Sequence, residues 1–135
     1  LMAIERNPID WLGSWYRYRT REDLVGHPNS TRDISFDDFV LEYCKGAPAP
    51  FANVGSQARF LTINDGEIGA QHLFQYEQCD KVIGYLEERL DVTITLKQKN
   101  VSPKMELELS AEVEAKLREK RAVEFAVWEW GRRRN

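Results

Sequence analysis

No apolar stretch in this chain approaches the roughly 18 consecutive residues that cross a bilayer, and no signal-peptide pattern precedes its first element. A soluble, cytoplasmic protein with no membrane partner is therefore expected. Cysteine is scarce: Cys44 and Cys79 are the only two, at no metal-ligand spacing, so neither a thiolate metal centre nor a disulfide framework is indicated. Each lies in a segment that reads as helical, which leaves a single pairing or buried free thiols. An excess of one charge is missing as well. With 19 basic and 22 acidic residues the net charge is −3, so the chain has no overall field to attract nucleic acid, and any anion site must be local. Repeats, low-complexity tracts and linker-like stretches are absent, and nothing suggests a second domain within residues 1–135.

What is present suffices for one core: 42% of the residues are hydrophobic and 11% aromatic. Leu1 to Ile4 enter at full apolar strength, so Leu1 to Arg6 reads as a strand buried on both faces. Asn7-Pro8 is an N-cap followed by proline at the first helical position, and a helix is predicted from Pro8 to Arg21. A polar loop, Gly26 to Asp33, leads to a second helix capped by Ser35, with Phe36, Phe39, Val40 and Tyr43 as its apolar stripe and Gly46, Pro48 and Pro50 as its stop. Val54 to Leu61 fits a short helix, Asn64-Asp65-Gly66 a turn, Ile68 to Tyr76 a strand and Cys79 to Leu90 a helix. Thr93 to Leu109 reads as extended or loop, after which Ser110 caps a long final helix to Trp130. The order is α/β, a parallel sheet flanked by helices, but helix-rich. Two strands are too few for a stable open sheet, so partner strands outside these residues, or an oligomer such as a homo-oligomer covering the same surface, are expected.

The segment from Glu5 to Arg19 carries the densest chemistry. At 100° per residue, Asp10, Ser14, Arg17 and Arg21 fall within about 60° of one another, beside a stripe of Trp11, Trp15 and Tyr18. Arg6 falls at a strand's C-terminal end, where open α/β sheets bind ligands, and the helix behind it offers free N–H groups and a positive dipole end. A phosphate there would meet a guanidinium, the Ser14 hydroxyl and that partial charge. The same residues also suit an ordinary strand end with no ligand. Elsewhere, His72 reads as a structural histidine in a strand, His27 as solvated, Glu77 as a strand-end ligand group or a helix cap, and Arg132 to Arg134 as a solvated tail. Arg121 falls inside the apolar stripe of Val113, Leu117, Phe125 and Trp128, where it snorkels, pairs with a carboxylate or faces another segment.

Arg6 with Asn7-Pro8 and Ser14-Trp15-Tyr16 resembles the 3′-phosphate-binding segment of sulfotransferases that use 3′-phosphoadenosine-5′-phosphosulfate (PAPS). Ser35-Phe36-Asp37-Asp38-Phe39-Val40, Gly55 to Leu61, His72 to Glu77, Asn100-Val101-Ser102-Pro103 and a terminal helix follow in the family's order, most similar to bacterial relatives of the carbohydrate sulfotransferases that modify glycosaminoglycans. The resemblance spans nearly the whole chain. It implies the C-terminal part of a P-loop sulfotransferase-like fold, transfer of a sulfuryl group from PAPS to an acceptor hydroxyl on a carbohydrate, and Arg6 and Ser14 as ligands of the cofactor's 3′-phosphate. It further implies that the loop with Asn100 and Ser102 approaches the nucleotide, and that Arg17, Gln57 and Arg59 face the acceptor. One departure is large: the family's loop of the type Pro-Lys-Thr-Gly-Thr-Ser, which cradles the 5′-phosphosulfate, is missing, and no catalytic base can be named. The 135 residues alone are therefore expected to be inactive. A non-catalytic interaction module of the same fold and a nucleotide-kinase-like phosphate binder are the alternatives.

Overall fold

A computed structural model of the chain describes residues 2–61, 72–93 and 105–134. Within them the chain is helix-rich. Two four-residue strands, β1 (Met2–Glu5) and β2 (His72–Gln75), pair in parallel, with Met2 opposite His72 and Glu5 opposite Gln75. The helices are α1 (Pro8–Tyr18), α2 (Phe36–Tyr43), α3 (Gln57–Leu61), α4 (Cys79–Leu90), α5 (Ala111–Lys120) and α6 (Ala122–Arg134). The predicted turn at Asn64-Asp65-Gly66, the start of the second predicted strand, Asn100 and Ser102 lie outside the described residues.

Local signals set the starts of α1, α2 and α5. The Asn7 side chain accepts from the N–H groups of Ile9 (2.9 Å) and Asp10 (3.3 Å), Ser35 from Asp38 (3.1 Å) and Ser110 from Val113 (3.3 Å). Helix ends obey distant residues more. The first helix stops at Tyr18, three residues short of Arg21, because hydroxyls claim the carbonyls that would extend it. Thr31 Oγ1 donates to Tyr16 O at 2.7 Å and Thr20 Oγ1 to Arg17 O at 2.6 Å.

The predicted final helix is two helices. At Arg121 the backbone leaves the helical region (φ −121°, ψ 39°), and the guanidinium donates from Nε (3.2 Å) and Nη2 (2.7 Å) to the carbonyl of Tyr43. It also covers the Tyr43 ring at 4.1 Å. An arginine placed on the last carbonyls of α2 complements the negative end of that helix, and this long-range contact outweighs a helix-forming sequence with no proline or glycine at the break. The closing arginines belong to α6 rather than to a loose tail: Arg132 pairs with Glu129 at 3.2 Å and stacks near Trp128.

The main core joins α1, α2, α5 and the start of α6 through Leu12, Tyr16, Phe36, Phe39, Val40, Tyr43, Val113, Leu117 and Phe125. Tyr16, Phe36 and Phe39 meet as aromatic pairs with centroids 5.4–6.2 Å apart. The Tyr16 hydroxyl donates to Ile34 O and the Tyr43 hydroxyl to Gly55 O, so these half-polar rings are satisfied where they are buried. The aromatic stripe expected on α1 is displaced by one position. Leu12 and Tyr16 are buried, and Trp11 and Trp15 pack on the core's rim. Residues 105–109 run across α1, held by Arg17 Nε on Met105 O (2.7 Å), and Gly13 permits this passage: a Cβ there would sit 3.2 Å from Leu107 Cδ1. A second cluster, Ala58, Leu61 and Val127, joins α3 to α6. Cys44 is a half-buried free thiol.

One expectation is inverted. β1 was to be buried on both faces by its apolar residues, yet Ile4 is 49% exposed while Glu5 is 1% exposed. The inward face of β1 at this point is the one turned toward a carboxylate-bearing helix, and its apolar residue lines an open cleft.

Candidate functional site

The polar residues of the fold gather where β1 ends and α1 begins. Gln57, first residue of α3, holds Arg6 by its main chain: Arg6 N–H donates to Gln57 Oε1 at 3.0 Å, and Gln57 Nε2 donates to the Arg6 carbonyl at 2.8 Å. The amide thus offers the donor and acceptor that a neighbouring strand would offer there. Asn7 N–H donates to Glu77 Oε1 at 2.6 Å, which ties the start of α1 to the residue pair that follows β2. Above the strand end, the Arg6 guanidinium lies over the Tyr76 ring, 4.3 Å from its centroid. Arg6 Nε is buried and has no hydrogen-bond partner.

The helix end does not supply the free N–H groups expected of it. Pro8 has none, Ile9 and Asp10 donate to the Asn7 side chain, and Trp11 donates to Asn7 O at 2.8 Å. An anion at this point would depend on side chains and on the helix dipole.

Beneath Arg6 lies a buried carboxyl cluster. Glu124 of α6 is 3% exposed and fully engaged: Ser56 Oγ donates to its Oε1, and Ala58 N–H donates to its Oε2 at 3.0 Å. Gln75, paired with Glu5 across the strands, donates from Nε2 to Trp128 O at 3.1 Å. Glu5 alone has no donor to either oxygen. Loss of solvation, then the nearby charges of Glu124 and Glu77, push its pKa from the ordinary 4.5 up to about 8. Glu5 therefore keeps its proton at neutral pH, and it does so beside the arginine without claiming it.

The other predicted residues are dispersed. Ser14 is half-buried on α1, two turns in from Asn7, and is not among the contacts of Arg6. Arg17 is engaged by Met105 O, and Arg59 is exposed, its N–H donating to Ser56 Oγ at 3.0 Å. His27 is an exposed loop residue whose Nδ1 accepts from Asn29 N–H at 3.1 Å. An open cleft of about 280 Å³ lies beside the clamp, lined by Ile4, Trp11, Val54, Ser56, Gln57 and Leu61. Among the described residues no three His, Cys, Asp or Glu side chains converge as metal ligands would.

Sequence reasoning missed Glu5, Tyr76 and Glu124 as members of this cluster. A glutamate closing an apolar strand run, and another between Val123 and Phe125, were the available signals. Comparison with protein-family models, curated proteins and solved structures returned no match for this chain. The residues themselves therefore carry the functional reading.

Proposed function

We propose that this chain is the C-terminal, nucleotide-holding portion of a PAPS-dependent sulfotransferase with a P-loop-type α/β fold, in which β1 and β2 are neighbours in a larger parallel sheet. The intact enzyme would move a sulfuryl group from PAPS to an acceptor hydroxyl on a carbohydrate. The observation that supports this most is Arg6 itself: a guanidinium at a parallel strand's C-terminal end, immediately before a helix, with a buried Nε that no protein acceptor satisfies. A buried charged donor left without a partner is costly in a chain that binds nothing and ordinary in one that binds an anion.

PAPS supplies the activated sulfuryl group, and its transfer leaves 3′-phosphoadenosine-5′-phosphate (PAP). The task of this chain is to bind and orient. Arg6 would meet the 3′-phosphate by charge-assisted hydrogen bonds, with Ser14 as the second ligand and the dipole of α1 adding to the local potential. Since only the 3′-phosphate separates PAP from AMP, a dedicated arginine there makes the site selective as well as tight. The 5′-phosphosulfate and the proton of the acceptor hydroxyl would be handled by residues outside these 135, because no loop of the Pro-Lys-Thr-Gly-Thr-Ser type is present in them.

Calorimetric titration of the 135-residue protein with PAP and with AMP tests the reading. PAP should bind at least about tenfold more tightly than AMP, and Arg6→Ala should remove ~1.5–3 kcal/mol of PAP binding while leaving AMP nearly unchanged. Equal affinities for the two nucleotides would refute it. Radiolabelled PAPS offered with a panel of polysaccharides should give no transfer by the 135-residue chain alone.

A further inference from the structure

We infer that Gln57 and Tyr76 are positioning residues for Arg6, fixing its main chain and its guanidinium ahead of a bound anion. The inference rests on the reading of Arg6 as a phosphate ligand. Four rotatable bonds separate a guanidinium from its main chain, and holding such a side chain in one geometry costs rotamer entropy. When the protein meets that cost before the ligand arrives, the ligand binds more tightly by the same amount. Gln57 removes freedom at the root: its amide closes both main-chain hydrogen bonds of Arg6, from 51 residues away, at 3.0 and 2.8 Å. Tyr76 removes it at the tip, its ring centroid 4.3 Å from the guanidinium carbon.

No carboxylate among the described residues pairs with Arg6. Among the described residues the ion pairs are Arg21–Asp23, Lys45–Glu42, Arg118–Glu114 and Arg132–Glu129, and Arg6 is in none of them. Glu77 is turned to Asn7 N–H, Glu124 to Ser56 and Ala58, and Glu5 retains its proton. These three carboxyls are thereby occupied or uncharged. Gln57 takes on a different part from the one its sequence position suggested, since its amide grips the strand end instead of being free for an acceptor.

The test measures PAP and AMP affinity in Gln57→Met, which keeps shape and loses both hydrogen bonds, and in Tyr76→Leu and Tyr76→Phe. Gln57→Met and Tyr76→Leu should each weaken PAP by about five- to tenfold and AMP by less than about twofold, while Tyr76→Phe, which keeps the ring, should match the wild type. In an Arg6→Ala background Tyr76→Leu should change PAP affinity by less than about twofold, because a positioning residue has nothing left to position. If Arg6→Ala abolishes PAP preference while Gln57→Met and Tyr76→Leu retain it, the positioning role is wrong and the phosphate reading stands. If Arg6→Ala leaves the preference intact, the phosphate reading falls and this inference with it. Tyr76→Leu weakening PAP equally with and without Arg6 would mean that Tyr76 touches the nucleotide directly, which also overturns positioning. Tyr76 is 50% exposed, so its variants decide the matter should Gln57→Met fail to fold.

Discussion

The helical cluster around α2 and the strand end around Arg6 both hold buried polar atoms, yet they differ in how completely they match them. In the first, each buried polar side chain is matched: Thr31 on Tyr16 O, Tyr43 on Gly55 O, Arg121 twice on Tyr43 O. In the second, both oxygens of Glu5, Nε of Arg6 and Nε1 of Trp128 are buried without partners. Arg21 Nε, beyond the end of α1, is the one further case among the described residues, and it lies 3.5 Å from Asp23. Unmatched buried donors and acceptors cost about 1–3 kcal/mol each, so a fold keeps them where something other than stability is being served. The contrast separates the part of the molecule that holds it together from the part that can act.

The largest effect should come from the first region. Phe39 is 0% exposed at the centre of the aromatic group, and Phe39→Ala should lower unfolding free energy by ~3–5 kcal/mol in urea titrations. A loss below ~1 kcal/mol would mean that this cluster is not what sustains the fold.

Glu5 should behave in the reverse sense. Its folded pKa is raised above the ordinary 4.5, so between 4.5 and about 8 the folded state keeps a proton that the unfolded state has lost. Stability should therefore fall as pH rises through that window, by up to ~1.4 kcal/mol per pH unit from this group, and level off above it. Glu5→Gln should match the wild type near pH 4.5 and be the more stable of the two at pH 8. An unchanged pH slope in the variant would show that another group holds the proton.

Arg121→Ala should cost ~1–2 kcal/mol, since the Tyr43 carbonyl loses two donors and its ring loses a cover. Arg121→Lys should restore only part, because one ammonium cannot reproduce the fork. Full restoration would make the contact one of charge alone. The smallest change, ~1 kcal/mol, is expected for Ser110→Ala, which removes the cap of α5 in the well-matched region. Helix content and stability that do not move would show that Asp37, which accepts from Ser110 N–H at 3.0 Å, already holds that turn.

The features legible in the sequence were those encoded within a few residues. Asn7-Pro8, Ser35 and Ser110 announced helix starts, and the bounds of α4 agree with the stripe from Cys79 to Leu90. Features set across the chain were not legible. Nothing near Tyr18 announces that Thr31 will claim its neighbour's carbonyl, and nothing near Arg121 announces Tyr43, 78 residues earlier. The site follows the same division. Arg6 and its strand-end address could be read from the segment around it, while the grip of Gln57 and the ring of Tyr76 come from 51 and 70 positions away, and Glu5 was hidden inside an apolar run. Ser14 and Arg17 share a helical stripe, but the stripe says nothing of Met105, which takes Arg17.

The parallel pairing of β1 with β2 also has a consequence in time. Met2 meets His72 only when the intervening chain has been drawn into a loop, and the entropy of closing a loop rises with its length, so this pairing is among the slower contacts the molecule can make. The contacts between α1 and α2 span far less sequence and can form first. Amides of β1 should accordingly gain protection from hydrogen exchange after those of α2 during refolding, and the arginine at the end of β1 would be set in place last, on a scaffold already built.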